Sequence, residues 1–127
     1  MDFPDFWRAF GLRIASSGDD ETLMEMDVPE WGMSPFGAVH GGAVAMLLDT
    51  ALAVAIAQRL SSPEDRIATH QLSISYAAFT GERRLECRAR VVSLTRTVAV
   101  AEGEVSDGSG KLVAKALGTF GVRRRES

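Results

Sequence analysis

The sequence predicts an α+β fold in which a strongly curved antiparallel sheet wraps one long central helix. Three observations carry this. A run from Gly41 to about Leu60 has helical length and is apolar on nearly every side. Two strand-like stretches precede it and four follow, several alternating between apolar and polar residues. Turn signals rich in Gly, Asp and Ser separate those stretches at hairpin spacing. A helix apolar all round has to be covered, and a curved sheet can do that.

The elements follow in order. Pro4 to Phe10 is expected as a short amphipathic helix with Phe3, Phe6, Trp7 and Phe10 on one side, ended by Gly11. Leu12-Arg13-Ile14 and Thr22 to Val28 read as strands, with Ser16 to Asp20 turning between them. Pro29 to Val39 is a Gly- and Pro-containing loop. The long helix follows, and Ser61 to Asp65 is its exit. From Thr69 to Tyr76, Leu72, Ile74 and Tyr76 alternate with Gln71, Ser73 and Ser75, so one face is buried. Thr80-Gly81 turns the chain. Leu85, Cys87, Ala89 and Val91 then alternate with Glu86, Arg88 and Arg90. Thr97 to Ser106 and Lys111 to Val122 are the last two strands, joined by the hairpin turn Asp107-Gly108-Ser109-Gly110. The polar RRRES tail closes the chain.

At 127 residues, one domain is expected. The net charge of -3 gives no reason to expect nucleic acid as a partner. A membrane span over Gly41 to Ala57 is disfavoured, because Asp49 sits at its centre and alanine outnumbers leucine. Cys87 is the single cysteine, which excludes an internal disulfide and fits a reducing compartment. It reads as a small core residue. His40 and His70, the two histidines, are too far apart in sequence to suggest a metal cluster. His70 reads as a solvated strand residue. The acidic, aromatic start is unlike a secretory signal, so a cytoplasmic protein is expected. Trp31, Met33, Phe36 and Met46 are expected mostly in the core, with the loop members available to line a pocket.

The chemistry concentrates in His40-Gly41-Gly42, followed nine residues after the histidine by Asp49. Glycines opening a helix present bare backbone N–H groups, which favour a polarised oxygen. A carboxylate in an apolar helix is costly unless it is paired or used. Eight residues separate Gly41 from Asp49, about 12 Å along a helix axis. A reacting carbonyl has to lie about 3 Å from both its donor and its attacking group, so one helix cannot supply both. A second copy running antiparallel alongside can. The spacing therefore predicts a homodimer with two interfacial sites if both residues are catalytic. A carboxylate, as nucleophile or as general base for water, suits an activated acyl group such as a thioester.

At these residues the chain resembles the hotdog-fold acyl-CoA thioesterases, especially the phenylacetate-degradation and 4-hydroxybenzoyl-CoA type. VHGGAVAMLLDTALAVA, LSISYAAF and TRTVAVAEGEV all look familial, and the likeness covers nearly the whole chain. The resemblance implies a hotdog fold and hydrolysis of an acyl-CoA to free acid and CoA. Asp49 would be the catalytic carboxylate and the Gly41 N–H would bind the thioester oxygen. His40 would orient the helix start or help place the thioester. Thr69 would hold the attacking water or Asp49. CoA, as part of the substrate, would meet Gly42, Arg96, Arg83, Arg84 and Arg123. No metal or separate cofactor is implied, and a homodimer or dimer of dimers is. Relatives usually carry Asn or Gln six residues before the histidine, and here Ser34 stands in that place. An acyl-CoA-binding protein without turnover and a hydratase or dehydratase of the same fold are the alternatives.

Overall fold

The computed structural model of the chain describes residues 5–125. Helix α1 (Asp5–Ala9) leads into a hairpin of β1 (Leu12–Ser17) and β2 (Thr22–Asp27). The long helix α2 (Gly41–Ala57) follows, then β3 (Arg66–Tyr76), β4 (Arg84–Leu94), β5 (Val98–Asp107) and β6 (Leu112–Arg123). The strands form one sheet in the order β1-β2-β4-β5-β6-β3, antiparallel at every pairing. The predicted six strands around one helix, the hotdog arrangement, are all present. Three run longer than expected: β1 continues to Ser17, β3 begins at Arg66 and β4 extends to Leu94.

Gly11 ends α1 with φ +64, and a Cβ there would lie 2.6 Å from the Asp27 carbonyl oxygen, so glycine alone fits this corner. Of the aromatic face expected on α1, Trp7 is buried, Phe10 is half-buried and Phe6 is exposed; Phe3 lies outside the described residues.

Helix α2 lies across the inner face of the sheet. Ala43, Val44, Leu47, Leu48, Ala51, Leu52, Ala55 and Ile56 are buried, a stripe at helical i, i+3, i+4 spacing. They meet inward-facing strand residues that include Met24, Leu85, Cys87, Ala101 and Phe120. The helix comes so close that a Cβ on Gly118 of β6 would stand 2.9 Å from Leu52 Cδ1. The expectation of burial all round is corrected here. Ala45, Met46, Asp49, Thr50, Ala53 and Val54 are only half-buried, because a six-stranded sheet curls around one side of the helix.

The strand β3 is an edge strand that pairs only with β6. A bulge at His70 interrupts their register, with Thr69 opposite Phe120 and Gln71 opposite Thr119. Strict alternation would put Thr69 on the same side as Gln71. The bulge shifts the phase, so Thr69 faces the helix together with Leu72, Ile74 and Tyr76 beyond it. His70 is exposed, as expected; its ring lies over Gly121, where a Cβ would collide with Nε2.

Two loop aromatics depart from the core reading: Trp31 is 64% exposed and Phe36 94% exposed. Their loop is held by its own backbone hydrogen bonds, such as Ser34 to Ala38 and Met33 to Glu30, rather than by burying the rings. Met33 and Met46 are partly buried against the core.

Candidate active site at the start and middle of the central helix

His40 is the N-cap of α2. Its backbone is extended (φ -62, ψ 135), and its Nδ1 accepts the Gly42 N–H at 2.9 Å. Its carbonyl accepts from Ala43 at 2.9 Å and more weakly from Val44. The two glycines are therefore not equally available, as the sequence suggested. Gly42 is capped, because a side chain at the N-cap reaches the second helical amide. The Gly41 N–H makes no hydrogen bond to any described residue. An orphan first amide at a helix N-terminus is suited to a polarised or negative oxygen.

Gly41 also borders a cavity of about 510 Å³, lined in addition by Val44, Tyr76, Phe79, Thr80 and Val113. Among the described residues no charged side chain lines it. Phe79 is 87% exposed at its rim, and the loop carrying Phe36 runs beside it, since the Val39 N–H donates to the Thr80 carbonyl. The Tyr76 hydroxyl donates to the Gly41 carbonyl at 2.7 Å. In the sequence Tyr76 reads only as an alternating strand residue. No local signal distinguishes it, since its partner lies 35 positions earlier.

Two turns further along, Asp49 stands half-buried on the open side of α2. The Thr69 hydroxyl donates to Asp49 Oδ1 at 2.7 Å. This is a charge-assisted bond, and it leaves Oδ2 unengaged among the described residues. Of the two partners the resemblance implies for Thr69, the attacking water or Asp49, its hydroxyl is bonded here to Asp49. Gly41 and Asp49 belong to one unbroken helix, about 12 Å apart along its axis. They do not converge within a chain.

Ser34 lies elsewhere in its contacts. Its Oγ accepts from the Phe36 N–H at 3.3 Å, a serine turn inside the loop, and none of its hydrogen bonds reaches Gly41, Asp49 or Thr69. The arginines divide between the two ends of the sheet. At the Gly41 end, Arg83 donates to the Val28 carbonyl at 2.7 Å and Arg84 pairs with Glu25 at 2.5 Å, so both are committed to the fold. At the other end, Arg96 and Arg123 are exposed and form no ion pair among the described residues. Strands of this length, at about 3.3 Å per residue, keep the two pairs roughly 30 Å apart, so one protomer cannot present all four to one ligand.

Other titratable groups serve the fold. Burial pushes the Cys87 thiol up to about 12, which fits the small core residue expected. Asp107, buried in the β5–β6 turn, accepts from the hydroxyls of Ser109 and Thr80 and from the amides of Ser109 and Lys111. The Ser109 hydroxyl is the largest influence holding its carboxyl well below the usual range. Among the described residues no group of three His, Cys, Asp or Glu is placed to hold a metal ion. None of their helices is long and apolar enough to cross a membrane.

Residues 36–114 match the model of a family described as the thioesterase superfamily. The 1,4-dihydroxy-2-naphthoyl-CoA hydrolase of Listeria monocytogenes is 21% identical over 115 residues, covering 91% of this chain and 93% of that protein. A thioesterase from Haemophilus influenzae superposes with a TM-score of 0.87 at 22% identity, over 94% of this chain and 82% of the other. A variant of the phenylacetic acid degradation protein PaaI from Thermus thermophilus gives a TM-score of 0.82 at 29% identity, over 93% and 98% of the two chains.

Proposed function

The chain belongs to the thioesterase superfamily and is a thioester hydrolase; from that premise we propose that it acts on acyl-CoA thioesters at an active site built across a homodimer from Gly41 of one protomer and Asp49 of the other. The observation that carries this is the division of labour along α2. The open Gly41 amide borders an apolar cavity, and Asp49, whose Oδ2 meets no partner among the described residues, lies about 12 Å away on the same helix. The unpaired outer edge of β3 and the half-open side of α2 adjoin each other and supply a face for a second copy. A two-fold axis there runs the helices antiparallel and brings each Gly41 to the partner's carboxylate.

In this site the thioester oxygen accepts the Gly41 N–H, which stabilises the negative charge that develops on it. Asp49 Oδ2 attacks the carbonyl carbon, or removes a proton from the water that does. Thr69 holds Oδ1 and so directs the other oxygen. On the general-base path the intermediate expels the CoA thiolate, which takes the proton from Asp49, and leaves the free acid; on the nucleophilic path loss of the thiolate leaves an acyl anhydride on Asp49, which water then hydrolyses to the free acid, its proton going to the thiolate. His40 acts by capping the helix, and with Gly42 it shapes the turn that the thioester approaches. Arg96 and Arg123 carry the CoA phosphates, because their guanidinium groups have no partner among the described residues where those of Arg83 and Arg84 are engaged. The uncharged cavity favours an apolar acyl group, aryl or medium-chain. Ser34 acts in the loop rather than on the substrate. No metal or further cofactor takes part. The single thiol keeps the cytoplasm as the expected compartment.

The test is reassortment of two inactive variants. Asp49→Ala and Gly41→Pro homodimers each lack half of every site. Unfolded together and refolded at equal amounts, half the dimers are mixed, and each mixed dimer has one intact site. Release of CoA and of the free acid, followed by mass spectrometry, should recover to about a quarter of wild type. No recovery from folded mixed dimers would place both residues of a site in one chain and overturn the proposal. Retained hydrolysis by Asp49→Ala alone would overturn the role of the carboxylate. Water addition to an enoyl-CoA without CoA release would replace the hydrolase reading with that of a hydratase.

A further inference from the structure

We infer that Tyr76 is a positioning residue for the Gly41 amide and, with the same ring, the wall against which the acyl group rests; this depends on the reading of Gly41 as the oxyanion donor. The peptide unit between Gly41 and Gly42 is held at both polar ends. Its carbonyl accepts the Tyr76 hydroxyl at 2.7 Å, and its N–H donates to His40 Nδ1 at 2.9 Å. On the other side of Gly41, the His40 carbonyl accepts the Ala43 amide. The open Gly41 N–H belongs to this His40–Gly41 peptide unit, which is joined through the Gly41 Cα to the clamped unit that follows.

Two successive glycines would otherwise leave this turn wide freedom in φ and ψ. That freedom matters because an oxyanion donor works only when its direction is set before reaction. His40 belongs to the same segment, so it can order the turn internally but cannot tie it to the sheet. Tyr76 comes from β3 and can.

The ring is placed to do the second task. A Cβ on Gly41 would stand 3.5 Å from Tyr76 Cε1 and Cζ, so the ring packs closely over the helix start. The same side chain lines the apolar cavity. Partial burial moves the phenol upward from its ordinary value. An acyl group filling the cavity presses on the ring that holds the amide. Acyl fit and oxyanion geometry are therefore mechanically linked.

Tyr76→Phe keeps the ring and deletes the hydroxyl. With the acyl-CoA that wild type turns over best, kcat per folded molecule should fall about tenfold while KM stays within about twofold. The Gly42 amide should exchange faster with solvent deuterium and its ¹⁵N resonance should move, since its peptide carbonyl has lost a donor. Tyr76→Leu should match the Phe variant in kcat and in addition raise KM for aryl substrates. A kcat that is unchanged, or that falls only with the folded fraction while the Gly42 amide stays put, overturns the positioning role. Unaltered KM values for every acyl group in the Leu variant overturn the wall. A wild-type protein without thioesterase activity whose Gly42 amide still responds to Tyr76→Phe would leave the clamp standing and defeat the reading of Gly41 as oxyanion donor.

Discussion

Gly41→Pro removes a single hydrogen-bond donor from the site with little else disturbed. Proline is favoured at the first position of a helix, where the amide has no helical partner to lose. The residue before it must be extended, and His40 already sits at φ -62, ψ 135. Gly41 is not among the glycines with positive φ, and a Cβ there meets Tyr76 atoms at 3.4–3.5 Å, an ordinary contact. The native amide bonds to no described residue, so no internal hydrogen bond is broken. Stability should hold, or rise by about 0.5–1 kcal/mol through the stiffer unfolded chain. Turnover should fall about 100- to 1,000-fold, the equivalent of about 2.7–4 kcal/mol for one lost oxyanion donor. Gly41→Ala is the control, because it adds the same Cβ and keeps the N–H; it should stay within a few-fold of wild type. CoA thiol release with a chromogenic disulfide gives kcat, and thermal melts give stability. Near-normal turnover by the Pro variant would refute the donor role. Equal damage in the Ala and Pro variants would mean that crowding, rather than the lost donor, is responsible.

Two further perturbations test the rest of the framework, beside the reassortment and Tyr76 experiments. Thr69→Val is close to isosteric and removes the 2.7 Å bond to Asp49. Because Thr69 is exposed, stability should change by less than about 1 kcal/mol, while kcat falls about tenfold; wild-type kcat would show that the bond does not orient the carboxylate. Asp107→Ala breaks three hydrogen bonds within the β5–β6 turn and one from Thr80 and should cost about 2–3 kcal/mol at neutral pH in urea melts. The folded state depresses this carboxyl, so its contribution is full above the unfolded value near ~3.9 and is lost as pH falls through the lower folded value. The gap between wild type and variant should accordingly narrow below about pH 4; a gap independent of pH would show that ionised Asp107 is not what holds the turn.

The legible parts of this protein are the ones governed by local rules. Alternation in β4 and the Asp-Gly-Ser-Gly turn specify a hairpin sheet without reference to distant residues. The apolar run after His40-Gly41-Gly42 specifies a helix that needs covering. The spacing of Gly41 and Asp49 follows from helix rise alone, so their failure to meet within a chain was readable in advance. Less was legible where contacts cross the fold. Trp31 and Phe36 look like core residues by type, yet their loop satisfies itself with backbone hydrogen bonds and leaves the rings outside.

From sequence alone come the six strands, the single long helix, its glycine start and the isolated acid, since each depends on residues within a turn or two of one another. The tertiary structure decides how these are used. It leaves one side of α2 half-open, because one sheet can curl around only one side of a helix. It divides the arginines between opposite ends of long strands. It brings Tyr76 onto the Gly41 carbonyl from a strand 35 residues away. Thr69 shows the difference best. Period-two alternation puts it on the outer face with Gln71, and only the bulge at His70, which exists by virtue of pairing with β6, turns it inward to Asp49.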